Sequence, residues 1–424
     1  MAEVISNHSE WGSTCPLVNS KVSSILDKES LPHEAREIEL FHKLKLLTSK
    51  LVSESDYYSQ AFKTLGLHDV NVGNRIELAK LPLIRKSQLA KLQADNAPFG
   101  GIIPANTQLQ RLFQSPGNIY EGAMDSFDWW RMAQAFHSAG FKNGDVVLNT
   151  LSYHLTPGGF IMDSGARACG CSVIPAGPGQ TEQQLDAMEH FKPNGYCGTP
   201  SFLNILIDKA KQRGHEVPFK KALVTGEALT PELRKKFIEN GLNVKQAYAT
   251  ADVGLIAFEA NDDEGWVLAE DIIVEIVQPD TGEPVDDGEV GELVVTTLDE
   301  RYPLIRFATG DLTAYYYDKN SCGRTNRRIK GWLGRADQTL KVKGMFVHPS
   351  QLQKIMSLFP EITNARFVIS RENHNDVFTF EYTAKTELGS YLKNLIKEIT
   401  KLSAVISRVD GVDSLFESEI LDLR

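Results

Sequence analysis

The chain has 424 residues, 42% hydrophobic and 24% charged, which is the composition of a globular protein long enough for more than one domain. Its 45 basic and 55 acidic residues give a net charge of -10, and the absence of a basic run argues against a nucleic acid partner. The sequence lacks an apolar run of about eighteen residues, the length that a membrane span needs. Its five cysteines are thinly spread, which fits a reducing compartment, so we expect a cytoplasmic protein.

The first predicted element is an amphipathic helix within residues 31–51. Ile38, Phe41, Leu44 and Leu47 recur every three positions among charged residues, as a helix with one buried face requires. The chain therefore opens with a helical segment.

Beyond Gly140 the pattern changes to short apolar runs that alternate with helical patterns. This alternation predicts strands and helices layered as an α/β fold. The predicted strands include residues 146–148, 172–174 and 222–224, and a predicted helix covers residues 202–212. A second helix begins near Thr230, which can cap it, and Pro231 suits its first turn.

The later part of the chain predicts an added β subdomain and a small C-terminal domain. Residues 272–277 and 292–297 are rich in β-forming residues and are joined through turn-forming clusters, so they predict antiparallel strands. Two more helices are expected near residues 350–359 and 388–402. We predict a large domain of layered α/β subdomains over residues 1–334, and a hinged α+β lid domain over residues 335–424.

Three motifs after residue 300 carry a family resemblance. They are YPLIRFATGDL at residues 302–312, GWLGRAD at 331–337 and KGMFVHP at 343–349. In this order and spacing they are similar to the nucleotide-binding and hinge motifs of the adenylate-forming enzymes. Four further motifs resemble those of the phenylacetate-CoA ligase branch of that superfamily. They are PAGPGQTE at 175–182, VTGEAL at 224–229, YATADV at 248–253 and CGRTNRRI at 322–329.

The resemblance implies roles for three residues of the later motifs. Asp311 would bind both ribose hydroxyls of ATP or AMP, since one ionised carboxylate accepts two hydrogen bonds. Arg335 would add a cation near the ribose and phosphate, and Asp337 falls where the family has the hinge of its mobile domain. The alternative for Asp311 is a solvated loop that only ends a strand.

The resemblance also implies an adenine pocket and a magnesium ligand. Tyr248 would stack on the adenine, although a packed core aromatic is the alternative, and Asp252 would hold Mg²⁺ through a hard carboxylate oxygen. Ala249 and Ala251 replace the family's usual Gly and Ser/Thr, so a phosphate-binding hydroxyl is lost unless Thr250 substitutes for it. The implied nucleotide-binding residues are Ser115, Gly117, Gly226, Glu227, Ala228, Tyr248, Ala249, Thr250, Asp311 and Arg335.

Four residues match loops that border the acyl pocket in the family. They are Tyr153, His154, Gly177 and Gly179, and the small ones would leave room for a flat ring. His154 has an alternative interpretation as an ordinary loop imidazole without a catalytic duty.

Two further features of the sequence depart from the family pattern. The phosphate loop, which in the family ends in Gly-Lys, is QSPGNIYEGA at residues 114–123 and keeps only Ser115 and Gly117. Glu121 in this loop is expected to add negative charge near a polyphosphate. The family's C-terminal lysine aligns with Phe416, so the main cation for adenylation is missing.

The resemblance therefore implies an enzyme that uses ATP and Mg²⁺ to activate an aromatic or similar small carboxylic acid as an acyl-adenylate, and then transfers it to coenzyme A. Its altered phosphate loop leaves two alternatives open. One is an acyl transferase or amide-forming enzyme that uses a pre-activated donor, and the other is a non-catalytic ligand-binding homologue. The interpretation is compatible with a homodimer.

Overall fold

The computed structural model describes residues 27–66, 71–115, 118–262, 264–318, 321–336, 340–342, 345–347, 349–372, 375–388, 390–400, 402–409 and 418–423. By its contacts the chain divides into a larger unit, Met1–Thr309 with Ala314–Gly331, and a smaller unit, Gly310–Thr313 with Trp332–Arg424. The domain boundary predicted after residue 334 stays a prediction. Within the described residues, no helix has the length and apolar character that crossing a membrane requires.

The larger unit begins with a set of helices and one short strand. These are α1 (His33–Glu54), α2 (Asp56–Thr64), α3 (Arg75–Ala79), β1 (Ile84–Arg85) and α4 (Lys86–Asp95). The predicted opening helix is thus confirmed, but Ile38 is 72% exposed. Phe41, Leu44 and Leu47 are buried as predicted, and Leu40 and Leu51 complete the buried stripe of α1.

A two-stranded hairpin follows α4 and leads into the main sheet. It consists of β2 (Arg111–Ser115) and β3 (Ile119–Ala123), which pair antiparallel with Phe113 opposite Glu121 and Ser115 opposite Ile119. Because cross-strand partners share a face and side chains alternate along a strand, Phe113, Ser115, Ile119 and Glu121 lie on one face of the hairpin.

The main sheet has nine strands, five of them parallel. The parallel part runs in the order β5-β4-β6-β7-β8, and helices connect its strands. The predicted α/β alternation is confirmed. In chain order these elements are α5 (Ala133–Ser138), β4 (Val146–Asn149), α6 (Gly158–Ala168), β5 (Ser172–Pro175), α7 (Thr181–Phe191), β6 (Gly195–Gly198), α8 (Pro200–Gln212), β7 (Lys221–Val224), α9 (Pro231–Glu239) and β8 (Asn243–Thr250).

Local capping explains where two of these helices begin. Thr230 precedes α9, and its hydroxyl accepts a hydrogen bond from the Leu233 N–H, with Pro231 in the first turn as predicted. Thr199 caps α8 in the same manner through the Phe202 N–H. Both helices therefore begin directly after the loops that leave β7 and β6.

Further strands complete the main sheet and form a second one. β9 (Gly254–Glu259), β10 (Trp266–Leu268), β15 (Arg328–Ile329) and β14 (Tyr315–Tyr316) extend the main sheet beyond β8. The second sheet has the order β1-β13-β12-β11 and contains β11 (Ile272–Val277), β12 (Gly291–Thr297) and β13 (Phe307–Thr313). In this second sheet β1 pairs parallel with β13. The antiparallel pairing of β11 with β12 confirms the predicted β subdomain.

The smaller unit is an α+β domain, as predicted. Its elements are β16 (Leu340–Val342), β17 (Met345–Val347), α10 (Pro349–Leu358), β18 (Ile362–Glu372), β19 (Asn375–Ala384), α11 (Ser390–Thr400), β20 (Val405–Arg408) and β21 (Ile420–Asp422). The four last strands form a sheet in the order β20-β19-β18-β21. Leu352 of α10 and Ile396 of α11 pack in one core with Phe367 and Phe380 of the sheet.

Arg306 is buried directly before β13 and bonds four other groups, and we predict that the stability of the larger unit depends on it. It pairs with Glu275 at 3.1 Å and donates to the carbonyls of Ala79, Leu81 and Gly282 at 2.6 to 2.7 Å. Arg306→Ala would leave the Glu275 carboxylate buried without its cation. We expect the free energy of unfolding to fall by about 3–5 kcal/mol, measured as a shift of the unfolding midpoint to lower urea concentration.

The exposed Arg213, which pairs with Glu182 and Asp186, is the control for that variant. Arg213→Ala should unfold at nearly the urea concentration of the unchanged chain, because exposed pairs contribute little. An Arg306→Ala protein as stable as Arg213→Ala would contradict the role given to Arg306.

Candidate active site

The carboxyl ends of the five parallel strands meet at one edge of the main sheet. The chain leaves β4 at Thr150, β5 at Ala176, β6 at Thr199 and β7 at Thr225, and backbone hydrogen bonds tie these exits to neighbouring strands. The Thr225 N–H donates to the Gly198 carbonyl at 3.0 Å, for example. Ligands of open α/β sheets bind outside such an edge where the strand order switches, and here it switches between β4 and β6.

The loop after β7 carries three of the predicted nucleotide-binding residues. Gly226, Glu227 and Ala228 are all exposed, so a ligand can reach them. Gly226 has φ of 80°, a conformation that glycine adopts without strain. Glu227 accepts a long hydrogen bond of 3.4 Å from the Ser201 N–H at the start of α8, which anchors the loop to the neighbouring strand exit.

The end of β8 places three more predicted residues at the same edge. Tyr248, Ala249 and Thr250 are half-buried, and a register shift between Tyr248 and Ala249 interrupts the pairing with β9. The Thr250 hydroxyl accepts from the Val253 N–H at 3.2 Å. Thr250 therefore closes the turn that carries Asp252.

Asp252 is held by a lysine that the sequence analysis missed. The Asp252 side chain is fully buried, and Asp252 Oδ2 accepts a hydrogen bond from the Nζ of Lys86 at 2.6 Å. Its other oxygen, Oδ1, has no hydrogen-bond partner. A buried carboxylate oxygen without a partner is a suitable ligand for a hard cation, so Asp252 fits the predicted magnesium role.

The hairpin β2–β3 carries the altered phosphate loop. Ser115 and Glu121 are both buried, whereas Tyr120 is 42% exposed and Gly117 lies outside the described residues. Burial raises the pKa of the Glu121 carboxyl to about 7, against the opposing effect of the nearby Ser115 hydroxyl. The negative charge expected at this position is thus reduced near neutral pH.

The predicted acyl-pocket residues lie at the exits of β4 and β5. The Tyr153 hydroxyl accepts from the side-chain amide of Asn149 at 2.7 Å, and its ring packs edge-on against Phe160 at 5.2 Å. His154 is exposed. Gly177 and Gly179 have φ of 69° and 73°, and the Gln184 side chain donates to both of their carbonyls at 2.8 and 2.7 Å.

Asp311 and Arg335 lie together in the smaller unit. Arg335 donates to Asp311 Oδ1 at 3.0 Å, and the indole N–H of Trp332 donates to the same oxygen at 3.1 Å. A side chain at Gly310 would bring a Cβ within 2.9 Å of the Arg335 guanidinium, so the small residue permits this approach. The predicted hinge residue Asp337 lies outside the described residues.

Comparisons with known proteins identify the family. The model of the AMP-binding enzyme family matches residues 119–298. A phenylacetate-coenzyme A ligase of Thermus thermophilus is 30% identical over 366 residues, which cover 82% of this chain and 81% of that protein. A phenylacetate-coenzyme A ligase of Pseudomonas putida is 31% identical over 70% of each chain. The chain belongs to the phenylacetate-CoA ligase-like branch of the adenylate-forming enzymes.

A solved structure shows that this ligase-like chain has the fold of its superfamily. The structure is an open conformation of a 2-hydroxyisobutyryl-CoA ligase in complex with its acyl-AMP and CoA. It is 19% identical, covers 93% of each chain and has a TM-score of 0.81. The α/β fold expected from the motifs is therefore confirmed.

The larger unit of this phenylacetate-CoA ligase-like chain brings most of the predicted site residues to one edge. The exits of β4, β5, β7 and β8 supply them, and the hairpin contributes Ser115. Sequence reasoning missed Lys86 and Asn149, because their hydrogen bonds to Asp252 and Tyr153 form only in the folded chain. The only local feature that marks Lys86 in the described structure is its position as the first residue of α4, directly after the short strand β1.

We predict a pH-dependent stability effect of Glu121. Because its folded pKa of about 7 lies above the ordinary value of 4.5, the folded state favours the protonated form. The group's contribution to stability is therefore lost as the pH rises from about 4.5 to 7, and stays lost above that range. Glu121→Gln should match the unchanged chain at pH 5 and be more stable at pH 8, by up to about 3 kcal/mol.

Thermal melting at the two pH values measures this difference, with the exposed Glu182→Gln as the control. The melting temperature of Glu182→Gln should differ from that of the unchanged chain by the same amount at both pH values. If the melting temperature of Glu121→Gln differs from that of the unchanged chain by the same amount at both pH values, burial does not set the protonation of Glu121.

Proposed function

We propose that this chain is an AMP-forming acid–CoA ligase for an aromatic or similar small carboxylic acid. The acid's carboxylate attacks the α-phosphorus of ATP and releases pyrophosphate, and the thiol of CoA then displaces AMP to give the thioester. The observation that carries the proposal is the 30% identity to a phenylacetate-coenzyme A ligase over 82% of the chain. Family membership makes ATP, AMP and CoA its nucleotide ligands, and the phenylacetate in its relatives' names suggests an aryl-acetic acid.

The edge of the main sheet supports the proposed adenine contacts. The exposed loop of Gly226, Glu227 and Ala228 offers backbone groups to the adenine, and the half-buried ring of Tyr248 offers a face for stacking. Asp252 lies at the turn after β8 and is bonded by Lys86 of α4, and we place the phosphates beside this pair. When bound, Mg²⁺ would supply positive charge to the phosphate oxygens.

The smaller unit supports the proposed ribose contact. Asp311 would accept hydrogen bonds from the two ribose hydroxyls, and Arg335 would keep it oriented through their 3.0 Å bond. Asp337 keeps its proposed hinge role from the sequence alone.

Aromatic side chains near the β4 exit support the proposed acid class. Tyr153, Phe160 and Phe113 form a chain of ring contacts with centroid distances of 5.2 and 5.4 Å. Aromatic rings pack favourably edge-on against one another, so an aryl acid would find matching surfaces beside them. The glycines at 177 and 179 would leave the neighbouring loop without side chains.

The activity assay for this proposal mixes the purified chain with ATP, Mg²⁺, CoA and a panel of carboxylic acids that includes phenylacetate, benzoate and short aliphatic acids. We expect pyrophosphate release and a thioester, detected by mass spectrometry, with aryl acids ahead of aliphatic ones. Silence across the whole panel would reject the ligase proposal.

A binding experiment tests Asp311 separately from turnover. Asp311→Asn keeps the shape of the side chain but replaces one acceptor oxygen by a donor and removes the charge. We expect AMP affinity, measured by calorimetry, to fall roughly 10- to 100-fold, as the loss of a charge-assisted pair of bonds implies. Glu182→Gln serves as the matched control, and an unchanged AMP affinity of Asp311→Asn would exclude the ribose role.

A further inference from the structure

The hairpin β2–β3 is held at one residue pair from both of its outer edges. Gln114 of β2 lies opposite Tyr120 of β3. In an antiparallel ladder, every second residue directs its backbone N–H and C=O away from the partner strand. Here the Gln114 N–H donates to the Leu155 carbonyl at 2.9 Å, and the Tyr120 N–H and C=O bond the side chain of Gln93. The hairpin is therefore fixed between two other segments of the chain.

Gln93 satisfies the edge of β3 in the way that a neighbouring strand would. Its side chain is only 2% exposed. The amide nitrogen of Gln93 donates to the Tyr120 carbonyl at 2.7 Å, and the amide oxygen accepts from the Tyr120 N–H at 2.9 Å. Both ends of the amide are used, so the two bonds also fix its orientation. The buried Tyr302 hydroxyl donates to the same carbonyl at 3.4 Å, and the Tyr120 backbone is thus held by two buried side chains.

The helix that carries Gln93 also carries Lys86. The two residues are seven positions apart in α4, so they lie on one face of the helix, about 10 Å apart along its axis. The buried Leu89 belongs to the same face. At one end of this face Lys86 bonds Asp252 at 2.6 Å, and at the other end Gln93 bonds Tyr120. The helix α4 therefore connects the turn of Asp252 with the altered phosphate loop.

The opposite edge of the hairpin is tied to the loop that borders the proposed acid pocket. Leu155 follows Tyr153 and His154 between β4 and α6. It has φ of 60°, a conformation that is rare for leucine and persists only where the surroundings fix it. The hydrogen bond from the Gln114 N–H to the Leu155 carbonyl is one such restraint. The hairpin thus reaches from the acid loop to the helix of Lys86.

We propose that Gln93 is a positioning residue of the altered phosphate loop. It acts through the Tyr120 backbone and holds β3 against α4, so that the hairpin keeps one spacing from the pair of Lys86 and Asp252 when ATP binds. This inference rests on the proposed function, which assigns the hairpin to the β- and γ-phosphates of ATP. The loop has lost the Gly-Lys end of the family pattern, and Gln93 fixes its backbone from outside the loop.

The first measurement follows the amide proton of Tyr120 by NMR in the full-length, nucleotide-free chain. The chain is labelled with ¹⁵N at its tyrosines, and Tyr120→Phe identifies the signal. Gln93→Met keeps the length of the side chain, but it cannot donate to the Tyr120 carbonyl and is only a weak acceptor. We expect the Tyr120 amide to exchange with deuterium roughly tenfold faster in Gln93→Met, because its hydrogen bond is lost.

The second measurement compares ATP with AMP by calorimetry in the presence of Mg²⁺. Only ATP has the phosphates that the hairpin would contact. We expect Gln93→Met to bind ATP roughly fivefold more weakly than the unchanged chain, because the loop is no longer held in place before binding, and to bind AMP equally well. A role in stability alone would change both affinities together or neither.

The exposed Gln88 of the same helix supplies the matched control. Gln88→Met should leave the Tyr120 exchange and both nucleotide affinities as they are in the unchanged chain. Equal Tyr120 exchange in Gln93→Met and the unchanged chain would overturn the inference. So would an ATP affinity that falls no further than the AMP affinity.

A second variant decides if Gln93→Met does not fold. At pH 9 the ionised side chain of Gln93→Glu accepts hydrogen bonds but cannot donate one to the Tyr120 carbonyl. It should bind ATP more weakly than Gln88→Glu, which adds the same charge to the exposed side of the helix. Equal ATP affinities of these two variants would count against the role of Gln93.

The amide exchange is independent of the ligase proposal. A chain that binds no ATP and makes no thioester, but exchanges Tyr120 faster in Gln93→Met, would reject the ligase function and keep Gln93 as the residue that fixes the hairpin. A chain that makes thioester while Gln93→Met retains full ATP affinity would reject only the positioning role.

Discussion

Parallel strand pairing is the constraint on which the site of the larger unit depends. Each parallel strand needs a crossover before the next, so every one of the five strands β4 to β8 releases its chain at the same edge. This brings Asn149, Thr199, Thr225 and Thr250 to one edge although about a hundred positions separate the first from the last. After β8 the chain turns back into the antiparallel β9, and Asp252 lies in that turn.

Much of the fold could be predicted because its elements carry local signals. Residues 146–148 and 222–224 are short apolar runs within β4 and β7, and α9 is marked by a capping threonine followed by proline. The pairing of β11 with β12 followed from turn-forming residues between two β-rich segments. The face of α1 was predicted less well, since Ile38 fits the periodicity but is exposed. Periodicity alone does not say where the buried stripe ends.

The site was predictable only where a short motif carries it. Gly226 and Tyr248 belong to such motifs, and the fold brings both to the sheet edge. Lys86 does not, because 166 positions separate it from Asp252 and only tertiary packing joins them. The direction of Glu121 depends on the register of β2 with β3, and a shift by one residue would have turned its carboxyl outward. From the sequence, therefore, Glu121 could only be interpreted as an added charge.

The charges near the hairpin β2–β3 affect how well the altered phosphate loop can bind ATP. With both acids ionised, Asp252, Glu121 and Lys86 together carry a single net negative charge, which would repel a triphosphate. Burial raises the pKa of Glu121 to about 7, so protonation near neutral pH reduces that negative charge. Lys86 adds a cation beside Asp252 from a different segment of the chain than the family's loop lysine. The altered loop is therefore compatible with a ligase that uses ATP, and a pre-activated acyl donor is not required to explain it.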